Sequence, residues 1–488
     1  MQSFKKNQMK NKLVLTAAGL ILFATIFKSE NTYAQATDND LLGQINAITT
    51  AVPFLIITPD ARAGALGDCG VASSPDAASI HWNPAKLAFS ENNMGFAVSY
   101  TPWLRKLVPD INLAYLSGYG KFGKKKLQAV GGSLRYFSLG DITFTDNVGN
   151  IIGNFRPNEF ALDFAYARKL SDYFSMGVAL RYVNSNLTGG ISVEGAATKA
   201  AQAGAGDVSF FYTNPKIKIK DLKTELNIGL NISNIGNKVS YTNTSEKDFI
   251  PTNLRLGFSY KLNVDEYNSI AIMADVNKLL VPTNPTRDMR QNVPNPIEFI
   301  PDNREYIPSD GSTGTINQGV GNINNTSPIA FRNDPYSKGH KDSIPNPNLG
   351  GQMPNPEFGA DMPNPNYLEI TAGKDPNVSV ISGIFQSFGD APLGFKEEMR
   401  ELTYSIGLEY WYNKMFSVRA GYFGEHVTKG NRKYVTLGAG IRYNVFGLDF
   451  AYLIPTQQRH PLENTLRFTL TFDFANVKAK KDTEGATE

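Results

Sequence analysis

Few residues in this chain are spaced for chemistry. The four histidines, His81, His340, His426 and His460, are scattered without metal-ligand spacing. The single cysteine, Cys69, excludes an intrachain disulfide and makes a zinc site improbable; a small buried thiol is its expected role. Gly64, Gly67 and Gly70 recur at every third position with no strand before them, which is not a dinucleotide loop. The sequence holds no Gly-x-Ser-x-Gly elbow, P-loop or His-Glu-x-x-His pair. Acid–base work by paired carboxylates is the remaining option, and Asp163, Glu409 and Asp473 are its candidates. Arg181, Arg255, Arg442 and Arg467 share their polar faces, so structural ion pairs are the expected use of these charges. Neither catalysis nor a cofactor is expected.

The segments carrying those charges set the class. Leu466-Arg-Phe-Thr-Leu-Thr-Phe-Asp-Phe474 is apolar at every even position and polar at every odd one. Leu254 to Tyr260 and Leu402 to Tyr410 do the same. Side chains on a strand alternate between faces, so each segment has one apolar and one polar face. About fourteen such segments, many with Arg, Asp or Glu on the polar face, are the signature of a transmembrane antiparallel β-barrel, an all-β fold. Strands are expected near 94–101, 111–120, 126–138, 160–170, 174–186, 207–212, 226–234, 252–261 and 269–278. Five more are expected near 402–412, 416–423, 433–443, 446–454 and 466–474, with the sixth or seventh strand poorly placed by the stretch 213–225. An even count places both termini in the periplasm and the longer connections outside.

Ahead of the barrel, Lys5, Lys6, Lys10 and Lys12 precede an apolar run, Leu13 to Phe27, and Thr32-Tyr-Ala34 suits cleavage, so 1–34 reads as a signal peptide. Residues 35–92 are rich in small residues with short helices, as a plug inside the lumen would be. Barrel strands 1–9 then occupy 93–280 and strands 10–14 occupy 401–475, followed by a polar tail, 476–488. The connection 281–400 holds most of the prolines and repeats Pro-Asn-Pro at Pro345, Pro354 and Pro363, too polar a composition for a packed β-domain. By strand parity it is extracellular, as a disordered decoration, a docking segment or a lid. The net charge of +3 carries no basic block that would suit nucleic acid, and Lys124, Lys125 and Lys126 mark a solvated turn.

Two aromatic features bear on binding. Trp103, Leu104 and Leu107 fall in the first long connection, where they serve either an interfacial girdle or a protein contact. Trp82, Asn83 and Pro84 fall where plug meets barrel and, with Asp60 and Arg62, are expected to anchor it.

The string Asp60-Ala-Arg, Gly67, Gly70-Val-Ala, Asp76-Ala and Trp82-Asn-Pro-Ala85 resembles the start of the FadL-like long-chain fatty-acid transporters. Together with Ser99-Tyr-Thr-Pro-Trp-Leu104 and Asn112-Leu-Ala-Tyr-Leu116, it is more similar still to the PorV (LptO) family of the Bacteroidetes type IX secretion system. The resemblance covers about residues 45–280 and 400–475; the Pro/Asn insert departs from it. It implies a fourteen-stranded outer-membrane barrel that receives secreted cargo beside the SprA/Sov translocon by binding the cargo's C-terminal signal domain. Delivery to the attachment complex follows, where the sortase PorU removes that signal. Trp103, Leu104, Leu107 and the loops near 139–159 and 188–206 are then the expected cargo contacts. The alternative, from the wider superfamily, is a transporter of hydrophobic small molecules, which requires an apolar pocket between plug and wall.

Overall fold

The structure, a computed structural model, describes residues 45–106, 108, 110–145, 148–149, 151–190, 197–219, 222–242, 247–288, 369–457 and 460–474, with the residue pairs 305–306, 314–315, 344–345 and 352–353. The signal-peptide reading, Leu107, the Pro-Asn-Pro repeats beyond Pro345 and the polar tail lie outside the described residues.

Fourteen antiparallel strands close into a barrel. They are β1 (Met94–Pro102), β2 (Ile111–Phe122), β3 (Gln128–Leu139), β4 (Asn158–Lys169), β5 (Phe174–Asn186), β6 (Ala201–Ile219) and β7 (Leu222–Gly236). The second half comprises β8 (Asn253–Asn263), β9 (Asn268–Leu279), β10 (Thr403–Tyr412), β11 (Phe416–Gly424), β12 (Lys433–Tyr443), β13 (Phe446–Pro455) and β14 (Leu466–Phe474). Closure joins β14 to β1 from Tyr100↔Phe468 to Met94↔Phe474. A closed sheet has no edge, so the backbone satisfies itself where no water can.

Alternation decides which face meets what. In β1, Phe96, Val98 and Tyr100 point outward while Ala97, Ser99 and Thr101 are buried inside. In β8, Leu256 and Phe258 face out and Arg255 and Ser259 face in. Exposed aromatics ring both ends: Tyr100, Tyr136, Tyr182 and Tyr404 at one, Phe122, Tyr412, Tyr443 and Phe446 at the other. An apolar outer band between two aromatic girdles is the exterior that a bilayer requires.

Every expected strand is present, and most ends agree closely. The exception is the sixth and seventh pair, which is longer at both ends than 207–212 and 226–234. The start of β6 was hidden because Ala201, Ala203 and Ala205 pack inward, among residues too small to signal a strand. Its far end was hidden because pairing with β5 stops at Tyr212, beyond which Thr213–Ile219 overhang with a bulge between Asn214 and Ile217. Turns at this end are tight: Asn413, Lys414 and Asn444 take positive φ, as short turns demand. It is called the turn end below, and the opposite rim the loop end.

Residues 47–93 thread the lumen. At the loop end the Ala51 amide donates to Phe249 O at 2.9 Å, and at the turn end Asn93 O accepts from Lys121 N at 2.7 Å. Between them lie α1 (Ala61–Gly64), α2 (Ser79–Trp82) and 3-10 turns at Pro53–Ile56 and Pro84–Phe89. Asp60 caps α1 through the Ala63 amide at 2.8 Å, and Asn83 caps the second 3-10 turn with Pro84 following it. The wall admits this backbone because glycines face it. A Cβ on Gly421 would lie 2.0 Å from Gly67 N, and one on Gly229 would lie 2.3 Å from Val71 O. Those are backbone atoms, which cannot swing aside.

Gly421→Val is therefore expected to unseat the plug, at a cost of at least about 1–3 kcal/mol by analogy with overpacked cores. Gly120→Ala, where a Cβ would meet nothing within 4 Å, is the matched control. Limited trypsinolysis of detergent-purified barrel checks this: new cleavage within residues 47–93 should appear only in the first variant.

Candidate binding surfaces at the loop end

Charges inside the barrel are mostly consumed by holding the plug. Arg62 grips Glu409 with two bonds, Nε–Oε1 at 3.0 Å and Nη2–Oε2 at 2.9 Å, and reaches Asp76 at 2.9 Å. Glu409 also accepts from Arg419 at 2.8 Å, Arg419 continues to Asp449 at 2.8 Å, and Arg442 closes the chain on Asp449 at 2.5 Å. A planar guanidinium bound edge-on to a carboxylate fixes orientation as well as distance. Arg181 similarly ties Asp163 (2.5 Å) and Asp207 (3.2 Å) and also bonds Asn234. Asp275 accepts the Gly70 and Val71 amides at 2.7 and 3.0 Å.

The sequence-read anchors meet here. Trp82 Nε1 donates to Asp60 Oδ1 at 2.7 Å, while Asn83 Nδ2 bridges Val71 O (3.1 Å) to Phe210 O of β6 (3.0 Å). Of the candidate acid–base carboxylates, Glu409 is engaged by two arginines and Asp163 by Arg181 and Ser133, on separate sets of partners. Cys69 is buried and free.

At the loop end a second buried charge cluster holds the end of the long connection. Lys278 binds Glu401 at 2.6 Å and Glu398 at 3.0 Å, and Lys429 binds Glu397 at 2.6 Å and Glu401 at 3.1 Å. Thr283 adds its hydroxyl to Glu401 (2.6 Å) and its amide to Asp390 (3.0 Å). Burial raises the Asp390 carboxyl above its usual range, and burial with nearby Arg400 lowers His426. These bonds fix α4 (Phe395–Arg400) on the rim, while α3 (Val380–Gln386) lies with Gly383 close against Phe249 and Pro282.

What the two helices do not bury is the more informative feature. Ile381, Phe385, Phe388, Leu393, Phe395 and Met399 are all at least half exposed, Phe395 at 79% and Phe385 at 74%. Several bare apolar side chains close together in sequence above a charge-bonded base are the kind of feature from which interaction surfaces are built. Reading 281–400 as one polar insert passed over both helices. Their local signals were present: Ser379 as a cap before Val-Ile-Ser-Gly-Ile-Phe, and acids before Arg400 in Phe-Lys-Glu-Glu-Met-Arg.

The first connection behaves differently. Trp103 is half-buried, packs against two rim clusters and has Arg467 over its ring at 6.0 Å. Leu104 turns inward with φ 50° onto the cluster of Phe423, Tyr434, Leu453 and Leu462. Of the two other expected contact loops, the first forms a hairpin, Ile142–Thr145 with Ile151–Phe155, and 201–206 belongs to β6.

Between the plug's first turn and the rim lies a cavity of about 430 Å³, lined among others by Trp82, Arg255, Asn277, Thr403, Lys429 and Tyr434. Its wall mixes polar side chains with apolar ones, among them Ile48, Ile56, Leu279 and Phe423.

The fold and these surfaces define an outer-membrane β-barrel with a plugged lumen. Residues 41–286, just over half of the chain, match the family described as type IX secretion system protein PorV, and the chain belongs to that family. Solved structures similar to it include the toluene transporter TbuX of Ralstonia pickettii (11% identity, TM-score 0.39, covering 85% of this chain and 98% of that one). A FadL homologue of Pseudomonas aeruginosa is 10% identical with TM-score 0.35, covering 88% and 99%. At such TM-scores the architecture rests on the strand pairing itself. No curated protein matches the sequence. The family is one of outer-membrane secretion proteins, which places this chain in that membrane and that system.

Glu409→Gln should lower stability by roughly 3–5 kcal/mol, because it strands the buried guanidinium groups of Arg62 and Arg419. Replacing Arg62 and Glu409 together by Met should cost less than Glu409→Gln alone. Denaturant midpoints in detergent measure both; a single variant indistinguishable from the parent would remove the network's anchoring role.

Proposed function

We propose that this chain is a carrier for type IX cargo: its loop end faces the cell exterior and binds the C-terminal signal domain of secreted proteins. Cargo taken from the SprA/Sov translocon is then delivered to the attachment complex and its sortase, PorU. Both ends of the barrel strand order, at the turn end, face the periplasm in this reading.

The observation that carries it is the α3–α4 platform, apolar, exposed and stapled to the rim at α4 by buried charges. A surface that must accept many cargos gains from broad apolar contact, with specificity left to a shared signal domain. Trp103 and Leu104 belong to the proposal as the inner border of this surface, beneath which the rim clusters pack. The alternative, passage of a hydrophobic small molecule, requires an apolar route through the lumen. The plug's ion pairs across the lumen weigh against it.

Phe385→Ser combined with Phe395→Ser should leave the barrel folded, since both side chains are largely exposed, and should weaken cargo capture by about thirtyfold or more if these are hot spots. Trp103→Ser with Leu104→Ser should reduce capture and also lower stability, because both residues pack against the rim. Affinity purification from native membranes, scored for secreted proteins sharing a C-terminal domain, is the assay. Undiminished cargo with the Phe385 and Phe395 pair would eliminate the platform as the docking surface.

A further inference from the structure

Arg255 is a buried wall charge that touches the plug without an ion pair. It lies on β8 at 4% exposure, and among the described residues it forms no ion pair. Its Nη1 donates to the carbonyl oxygen of His81 at 3.3 Å, and its guanidinium stacks on Trp82 with 4.9 Å to the ring centroid. The nearest carboxylates bond other groups: Asp207 binds Arg181 and the Asn234 amide, and Asp275 caps Gly70 and Val71 through one oxygen while its other oxygen has no hydrogen-bond partner. A buried guanidinium without a counter-charge is costly unless something supplies one.

Arg255 also lines the 430 Å³ cavity, a volume within the roughly 300–1,000 Å³ span of small-ligand sites. The other charges in that wall are matched. Glu425 holds Arg432 at 2.9 Å, Glu401 holds Lys278 and Lys429, and Asp68 binds the Tyr434 hydroxyl with Arg467 at 3.7 Å. Arg255 is thus the wall's single unmatched charge, and Asn277 beside it in register has a buried side-chain oxygen without a partner. Thr49, Thr50, Thr58, Asn253 and Thr403 line the same space beside Ile48, Ile56, Leu279 and Phe423, so the wall offers hydrogen-bonding groups to a polar body as well as apolar contact.

We propose that this cavity is a receptor for one carboxylate carried on a small polar body, with Arg255 as its counter-ion and Trp82 as the face that holds the guanidinium in plane. The carboxylate has two possible sources, a free organic acid or the C-terminal end of a polypeptide. The site shares Glu401 and Lys429 with the base of the α3–α4 platform but none of its exposed apolar side chains, so the Arg255 variants and the Phe385 and Phe395 pair test the two separately.

The experiment uses the full chain in detergent and follows tryptophan fluorescence, to which stacked Trp82 contributes. Probes are acetate, the tripeptide Ser-Thr-Ser as free acid, the same tripeptide C-terminally amidated, and decanoate. The free acid should bind, and the amide should bind at least about tenfold more weakly, as loss of a charge-assisted bond implies. Arg255→Gln should abolish that difference, and Arg255→Lys should retain part of it. Acetate binding comparable to the tripeptide would identify a free acid as the source; a clear gain for the tripeptide would identify a chain end. Equal binding of acid and amide to the parent protein overturns the proposal, as does parent-like binding by Arg255→Gln. Preference for decanoate overturns the polar body. Should Arg255→Gln fail to fold, the acid–amide comparison on the parent protein and the Lys variant still decide.

Discussion

Arg62 reaches from the plug to Glu409 on the wall, and through Glu409 it is joined to Arg419, Asp449 and Arg442. Much of the molecule depends on that link. A lumen ringed by polar faces must be filled by water or by polypeptide, and here polypeptide fills it. Buried charges stay ionised at acceptable cost only when each has a partner with good geometry, so plug and wall must fit as one unit. The wall glycines express the same constraint sterically, for the plug's backbone lies where side chains would otherwise stand.

The loop-end platform follows the same logic at a different depth. Lys278 and Lys429 each hold one carboxylate of α4 and share Glu401 just past its end, which lets a short helix keep its place without an apolar core of its own. Helices this short are unstable alone. With α4 fixed by charge, the platform's apolar side chains are left free to meet another molecule. Trp103 and Leu104, the more conspicuous residues in the sequence, instead support the rim from within.

How much could be read from the sequence differs by element. Strands such as β14 were legible because lipid and lumen impose opposite demands on successive residues. Leu466 to Phe474 records them without interruption. The first part of β6 was not, because alanine and glycine satisfy a crowded interior without marking either face. The anchors Asp60, Arg62, Trp82 and Asn83 could be named, yet Glu409 and Asp275, their partners or neighbours across hundreds of positions, could only be paired in three dimensions. The platform helices were obscured by the proline-rich composition around them. That Arg255 is the one charge in the cavity wall without an ion pair is a property of the assembled interior, and no spacing in the chain encodes it.

Beyond Tyr212 the overhang of β6 has no strand beside it on one flank, although the Thr213 amide donates to Tyr173 O at 2.8 Å and the Lys216 amide to Asn214 Oδ1 at 3.1 Å. An open ribbon margin invites other chains to add on and grow into aggregates. Pro215 lacks an amide hydrogen to offer, the bulge between Asn214 and Ile217 twists the margin away, and Lys216 lies over Tyr173 with 5.4 Å to the ring centroid. Three recognised guards against fibrous stacking thus fall within a few residues of one another, and the protruding hairpin can remain solitary while the barrel below it is sealed.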